Sequence, residues 1–140
     1  MEFILIFAFS LVIIIPLINY LYSEFQDNRQ VLDTSQAQQV LDEISLKAQN
    51  TYYSGFPSRT TLEMYVPRGI TSVESNWNKS GTLRGELVFK VQQGSSSSDL
   101  VATFPFPINT SPTPMQLLEG KRKIMIKVEW NSIVNITEAK

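Results

Sequence analysis

The hydrophobic and polar positions divide the chain into three stretches with different periods. Residues 3–22 contain no charged side chain. After Pro57, apolar side chains recur at every second position, as in strands that have one buried face. Between these stretches, apolar side chains are spaced by three and four, which is the period of one helix face, at Ala37, Val40, Leu41, Ile44, Ala48 and Tyr52.

The first two stretches predict one helix of about 50 residues, because residues 23–54 contain neither glycine nor proline. Gly55 is suited to cap its C-terminus, and Pro57 follows as a stop. Pro16 lies inside the apolar part, where a residue without a backbone N–H predicts a kink. We therefore expect a kinked helix that is apolar in its first half and amphipathic in its second.

The apolar half of this helix is long enough to cross a membrane. Residues 3–22 are 20 residues, and a helix of that length spans the roughly 30 Å hydrocarbon core of a bilayer. A cleaved signal would have a shorter apolar run, a basic segment before it and small residues at the cleavage site. The chain has none of these features at its start. We predict a retained membrane segment.

The alternating pattern after Pro57 predicts a second region made of strands and polar turns. Loops are expected at residues 94–98 and 109–114, where serine, threonine and proline accumulate. The predicted fold class is α+β, in which the amphipathic half of the helix covers a mostly antiparallel sheet or small β-sandwich. The helical region is residues 1–54 and the β head is residues 55–140. Strands are predicted at residues 60–66, 70–77, 83–91, 100–106, 123–130 and 134–136.

Composition excludes several kinds of chemistry. The chain has no cysteine and no histidine, so disulfides, Cys/His zinc sites and imidazole catalysis are absent. Of 13 acids one is Glu2, which leaves 12 acids against 12 bases in the rest, a balance that favours no nucleic-acid partner. The acids are scattered and match no catalytic or phosphate-binding motif. We predict no catalytic, cofactor-binding or metal-binding residues. An enzyme with an unrecognised site is the weakest hypothesis for the function of this chain.

Three Asn-x-Ser/Thr triplets are candidate N-glycosylation sites. They begin at Asn78, Asn109 and Asn135, and none has proline in the middle. The first two fall in predicted turns, and Asn135 falls on the outward phase of the last predicted strand. Their positions predict N-linked glycans on an exposed, membrane-anchored head.

Glu2 stands at the tip of the apolar helix. There a carboxylate is tolerated at a membrane interface and interacts favourably with the positive end of the helix dipole. If the helix left the membrane and entered a fibre, Glu2 would need a cationic partner to offset desolvation. The free terminal amine of a neighbouring subunit would be such a partner.

The segment Glu2-Phe3-Ile4-Leu5-Ile6-Phe7-Ala8-Phe9, followed by an amphipathic stalk and a β head, resembles the start of type IV pilins. The archaeal pilin-like proteins with class III signal peptides are the more similar group. Residues 64–73 resemble a recurrent strand–turn–strand piece of their heads, and residues 123–136 resemble their closing hairpin. The resemblance implies a filament subunit that is held in the membrane before assembly and then forms a surface filament. It further implies assembly roles for Glu2 and Pro16, and contacts with a prepilin peptidase and the pilus assembly machinery.

In that family a short basic leader is removed just before a glutamine. Three explanations fit its absence here: the leader is missing from this chain, Met1 is an internal methionine of a longer precursor, or no processing occurs. We expect the second, because an acid directly after Met1, with no preceding base, is a poor orientation signal. The alternative hypothesis is a monomeric, membrane-anchored protein whose head binds an envelope component or assists filament assembly. Glu2 distinguishes the two, since a simple anchor does not need it.

Overall fold

The structure, a computed structural model, describes residues 2–77, 84–94 and 96–139, without the side chains of residues 2, 26–32 and 93. One helix, α1, runs from Glu2–Tyr53 and is followed by seven strands. The chain forms two compact units, Met1–Leu32 and Asp33–Lys140. The second half of α1 thus belongs to the same unit as the strands, which we call the head unit. The α+β class is confirmed.

The end of α1 is set by the predicted glycine cap. Gly55 has a positive φ of 74°, and its N–H donates to the carbonyl oxygen of Tyr52 at 3.0 Å. The Ser54 N–H donates to the carbonyl oxygen of Asn50 at 3.1 Å. The chain then turns into the first strand, where Ser58 Oγ donates back to the Thr51 carbonyl at 2.6 Å. The helix end is therefore fixed to the sheet that follows.

Seven strands form two sheets in the head unit. The four-stranded sheet has the order β1-β6-β7-β5, and the three-stranded sheet has the order β2-β3-β4. All pairs are antiparallel except β5 and β7, which are parallel. The strands are β1 Arg59–Val66, β2 Ile70–Trp77, β3 Gly85–Gln93, β4 Ser96–Phe104, β5 Ile108–Ser111, β6 Gly120–Val128 and β7 Val134–Glu138.

One hydrophobic core joins the helix to both sheets. The predicted stripe of α1 contributes Ala37, Val40, Leu41, Ile44 and Ala48, all buried, and Tyr52 stacks on Phe106 with ring centroids 4.2 Å apart. The inward phase of each sheet supplies the rest. The amphipathic pattern and the alternation are confirmed as the core-facing positions. The largest fully buried side chains from the strands are Phe89, Phe104, Leu87, Ile108, Ile124, Ile126 and Ile136.

Gly85 is required by a close approach between strands. A Cβ at this position would lie 2.6 Å from the carbonyl oxygen of Phe106 and 2.7 Å from Cγ2 of Ile108. Both distances are shorter than any ordinary contact, so the first residue of β3 must lack a side chain for the segment that leads into β5 to pass over it.

Three predictions from the sequence are wrong in detail. The predicted loop at residues 94–98 enters β4, because Ser96–Ser98 pair with β3. The predicted loop at residues 109–114 begins as strand β5, which pairs with β7. Trp130 falls in the predicted strand 123–130 on the same phase as Ile124 and Ile126, which predicts an inward side chain. It is instead 82% exposed, because β6 ends at Val128 and the chain turns. Met115 and Leu117, for which the sequence predicts no element, are buried in the core.

Candidate assembly surfaces

The N-terminal half of α1 is exposed and apolar on every side. Phe3–Phe25 is a 23-residue segment long and apolar enough, by length and composition alone, to cross a membrane. Every side chain of residues 3–25 is exposed, and Phe3 reaches 89%. Apolar surface of this extent on a chain in water is unfavourable, so this segment needs a lipid or protein environment.

Two serines in this segment satisfy their hydroxyl groups within the helix. Ser10 Oγ donates to the Ile6 carbonyl at 2.9 Å, and Ser23 Oγ donates to the Tyr20 carbonyl at 2.8 Å. A hydroxyl bonded to the preceding turn does not require water. These two side chains are therefore compatible with an apolar environment around the helix.

The two residues predicted to act in assembly both lie on α1. Glu2 is its first residue, but the Glu2 side chain lies outside the described part of the chain, so its ion pair stays a prediction. Pro16 lies inside α1, with helix assigned on both sides of it. The predicted kink at Pro16 also stays a prediction.

The candidate glycosylation sites differ in their surroundings. Asn78 lies outside the described residues. Asn109 lies on β5, one of the two edge strands of the four-stranded sheet, and is exposed. Asn135 lies on β7, between β6 and β5, and is half-buried. Asn109 is thus exposed as predicted, although it lies on a strand rather than in a turn.

The triplets of Asn109 and Asn135 lie side by side on the parallel strands β5 and β7. Asn109 is in register with Asn135, and Ser111 with Thr137. The Asn135 Nδ2 donates to Glu129 Oε1 at 3.0 Å, a bond that is the main cause lowering the pKa of Glu129. Asn135 Oδ1 and Thr137 Oγ1 are both buried and have no hydrogen-bond partner among the described residues. The Asn135 triplet is therefore much less accessible than the Asn109 triplet in the folded head.

The outward faces of the two sheets carry opposite charge. We call the outward side of β1 and β6 the basic face, and the outward side of β2, β3 and β4 the acidic face. The charged strand residues of the basic face are Arg59, Glu63, Lys121, Lys123 and Lys127. Those of the acidic face are Glu74, Glu86, Lys90 and Asp99.

Ion pairs on both faces neutralise only part of this charge. Glu63 accepts hydrogen bonds from Lys123 at 3.0 Å and Lys121 at 3.3 Å, and these two lysines lower its pKa. Lys90 Nζ lies 2.7 Å from Glu74 Oε1, which raises the pKa of Lys90. All these side chains are at least 36% exposed, so the pairs contribute little to stability.

The opposite charges of the two faces were not predicted from the sequence. The outward-phase charges of each strand are visible in the sequence, but summing them requires knowing which strands share a sheet. Once β1 is paired with β6, and β2 with β3 and β4, the two signs separate.

The acidic face contains an open cavity of about 480 Å³. Its lining is polar, and no three His, Cys, Asp or Glu side chains converge as metal ligands anywhere in the described residues. The cavity can accept a polar side chain, and its wide opening fits contact with another surface better than enclosure of a small molecule. The lining residues are Thr71, Lys90, Gln92, Ser96, Ser97 and Asp99.

The buried polar side chains of the described head belong to its framework. Thr51 Oγ1 donates to the Lys47 carbonyl at 2.7 Å and lies 3.0 Å from Thr60 Oγ1. Thr110 Oγ1 lies 3.1 Å from Ser75 Oγ, which also accepts from the Thr110 N–H at 2.9 Å. These bonds connect α1 to β1 and β5 to β2. The hydroxyl groups that form these bonds hold the elements in place, and each already has a hydrogen-bond partner.

No protein-family model matches this chain, and no curated protein or solved structure is significantly similar to it.

Proposed function

We propose that this chain is the structural subunit of an archaeal type IV pilus-like surface filament. In this proposal it is a pilin, which is held in the membrane by its N-terminal helix before assembly and whose helix forms the filament core afterwards. The head would form the outer layer of the filament. The role is structural, with no catalysis, metal or cofactor.

The observation that supports this proposal is the contrast within one helix. In the second half of α1 the apolar stripe is buried in the head, whereas in Phe3–Phe25 the apolar side chains surround the helix and all are exposed. A helix that is apolar all round is stable only when other molecules cover it. Lipid would cover it first, and the helices of neighbouring subunits would cover it in the filament.

Burial of this surface would keep the helix packed in the filament once it has left the membrane. Removing apolar area from water is worth roughly 25 cal/mol per Å², so any part of the segment that would otherwise meet water favours packing among neighbouring helices. The transfer from lipid to the fibre is nearly balanced for apolar side chains, because lipid is equally apolar. An ion pair between Glu2 at the helix tip and a neighbouring subunit would then favour the fibre, and this is the proposed role of Glu2.

The proposal also includes the finer features of the fold. Pro16 would bend α1 so that neighbouring helices fit a helical arrangement. The two sheets would pack as a small β-sandwich, since both contribute side chains to one buried cluster. Glycans on Asn109, and on Asn78 and Asn135 if they are modified before folding, would cover the outer surface. A prepilin peptidase and the pilus assembly machinery would be the partners before polymerisation.

The test is replacement of Glu2 in cells that assemble the protein. Glu2→Ala or Glu2→Leu should abolish filaments while leaving membrane insertion intact, because the acid is tolerated at the membrane interface but needed for pairing in the fibre. Glu24→Ala, which removes the next acid along the helix, is the matched control and should leave filaments unchanged. Electron microscopy of sheared filaments and membrane fractionation measure the two properties. Unchanged filament yield in Glu2→Ala would contradict the assembly role.

The second candidate is a monomeric membrane-anchored binding or assembly-accessory protein. The same exposed segment, Phe3–Phe25, supports it, because one span is sufficient for an anchor. In that case sheared cell-surface fractions would contain no filament of this chain, and the protein would remain monomeric in the membrane. Filaments whose subunit is identified by mass spectrometry would exclude this candidate.

A further inference from the structure

The basic and acidic faces are separate surfaces of the head unit. The inward side chains of both sheets enter one buried cluster, with Ile124 and Ile126 from the four-stranded sheet and Leu87 and Phe89 from the three-stranded sheet. The outward phases of the two sheets therefore face away from a common core. One molecule presents both surfaces to solvent at the same time.

Their net charges are of opposite sign and similar size. On the strands of the basic face, four bases and one acid give 4 − 1 = +3, and Glu129, which follows β6 and pairs with Lys127 at 3.4 Å, brings the face to 3 − 1 = +2. On the strands of the acidic face, one base and three acids give 1 − 3 = −2. Of these charges, Arg59, Glu86 and Asp99 have no ion pair within the described residues. Asp99 still interacts electrostatically with the neighbouring Lys90. Among the described residues, these three charges are thus the least neutralised on the two faces.

Each face also has an apolar patch among its charges. On the acidic face Val88 is in register with Val101, which is 53% exposed. On the basic face the half-buried Met125 lies on the strand β6 between Lys123 and Lys127, and Tyr65 is exposed on β1. An apolar centre with a charged rim is the usual composition of a protein–protein interface.

We propose that the basic face of one copy of this chain packs against the acidic face of the next copy. The inference rests on the proposed filament and names the contact between its heads. Because the two surfaces differ, the contact is heterologous, and each copy keeps one basic and one acidic face free for further neighbours. Repetition of such a contact builds an open helical assembly when the rotation does not close a ring.

The charges also determine which contacts are disfavoured. Two basic faces, or two acidic faces, would place like charges opposite each other, which is unfavourable across an interface. A symmetric head-to-head dimer is thereby disfavoured relative to the head-to-tail chain. A nucleic acid would bind only the basic face and leave the acidic face without a role, so a second copy accounts for both surfaces together.

The experiment reverses the charge of one face at a time. The first variant combines Arg59→Glu with Lys121→Glu, which changes the basic face from +2 to 2 − 4 = −2, and Lys123 remains to pair with Glu63. The second variant combines Glu86→Lys with Asp99→Lys, which changes the acidic face from −2 to −2 + 4 = +2. Arg68→Glu is the control, because Arg68 is an exposed cation outside both faces.

Each double variant alone should lose filament yield by about tenfold or more, since its two faces then have the same sign. A 1:1 mixture of the two variants should recover filaments in which they alternate, and the chain with all four substitutions should also recover them. The Arg68→Glu control should assemble like the unchanged chain. Thermal unfolding of each variant in detergent, followed by circular dichroism, checks that the heads are folded.

Two outcomes would overturn the contact. One is unchanged assembly of either double variant; the other is folded variants whose mixture does not assemble. Both leave the filament proposal standing if the unchanged chain forms filaments. Absence of filaments from the unchanged chain would instead contradict the proposed function itself. Weaker assembly at high salt is a further expected result, because exposed charges are screened beyond about 10 Å at 0.1 M ionic strength.

Discussion

Both halves of α1 contain apolar side chains, but the surroundings of these side chains are opposite. Leu41, in the second half, is 1% exposed because the sheets of the head cover its side of the helix. Leu5, in the first half, is 72% exposed, and its apolar neighbours around the whole helix are exposed as well. Apolar side chains of α1 therefore stabilise the head only in the second half, where the opposite side of the helix is polar and faces water. Where no polar side exists, the covering partner must be another molecule.

The largest expected effect comes from the same substitution in each half. Leu41→Ala should lower the free energy of unfolding of the head by about 2–5 kcal/mol, through lost burial and the cavity left behind. Leu5→Ala should change it by less than about 0.5 kcal/mol, because the Leu5 side chain is exposed and belongs to the other compact unit. Urea unfolding of the full chain in detergent, followed by tryptophan fluorescence, measures both.

Leu46→Ala is the matched control within the second half, since Leu46 lies on the same stretch of helix but is exposed. Its effect should resemble that of Leu5→Ala. A destabilisation of the head by Leu5→Ala as large as that by Leu41→Ala would mean that the two halves are not energetically distinct.

Some parts of the fold can be predicted from the sequence better than others, and the helix of the head is the clearest case. The 3.6-residue period from Ala37 to Tyr52 and the glycine at position 55 correctly predict the buried stripe and the end of the helix. Both are local signals: a side chain three or four residues away shares the same face, and a glycine accepts a positive φ. The inward positions of β1, β3 and β6 follow from alternation for the same reason.

The errors arise where a distant partner determines the structure. Residues 109–111 are polar, and the segment 108–111 is short and flanked by prolines; it forms a strand because β7 pairs with it. Ser96–Ser98 extend β4 because β3 is long enough to pair with them. The burial of Asn135 Oδ1 likewise depends on neighbours from β6 and β5. No local pattern contains this information.

A charge placed in the apolar half tests what covers it. Val12→Asp should reduce membrane retention and assembly, because an acid near the middle of a spanning helix costs about 2.5–3.5 kcal/mol on insertion. Head stability should be unchanged. Gln39→Asp, on the exposed side of the second half, should affect neither property. Flotation of the full chain with lipid vesicles measures retention, and equal flotation of Val12→Asp and the unchanged chain would contradict a membrane role for this segment.

The smallest expected effect is a difference in the response to acid. Glu63 beside Lys123 and Lys121, and Glu129 beside Asn135, have pKa values lowered from 4.5. A carboxylate whose pKa is lowered by folding contributes stability above its unfolded pKa, and this contribution is lost as pH falls through the lower folded value. The melting temperature of the head should therefore fall only below about pH 4.5, and less steeply in Glu63→Gln. Residues 3–23 contain no acid or base, so vesicle binding through them should stay constant from pH 7 to about pH 4. Parallel loss of vesicle binding and of head stability over this range would indicate that the two halves respond as one unit.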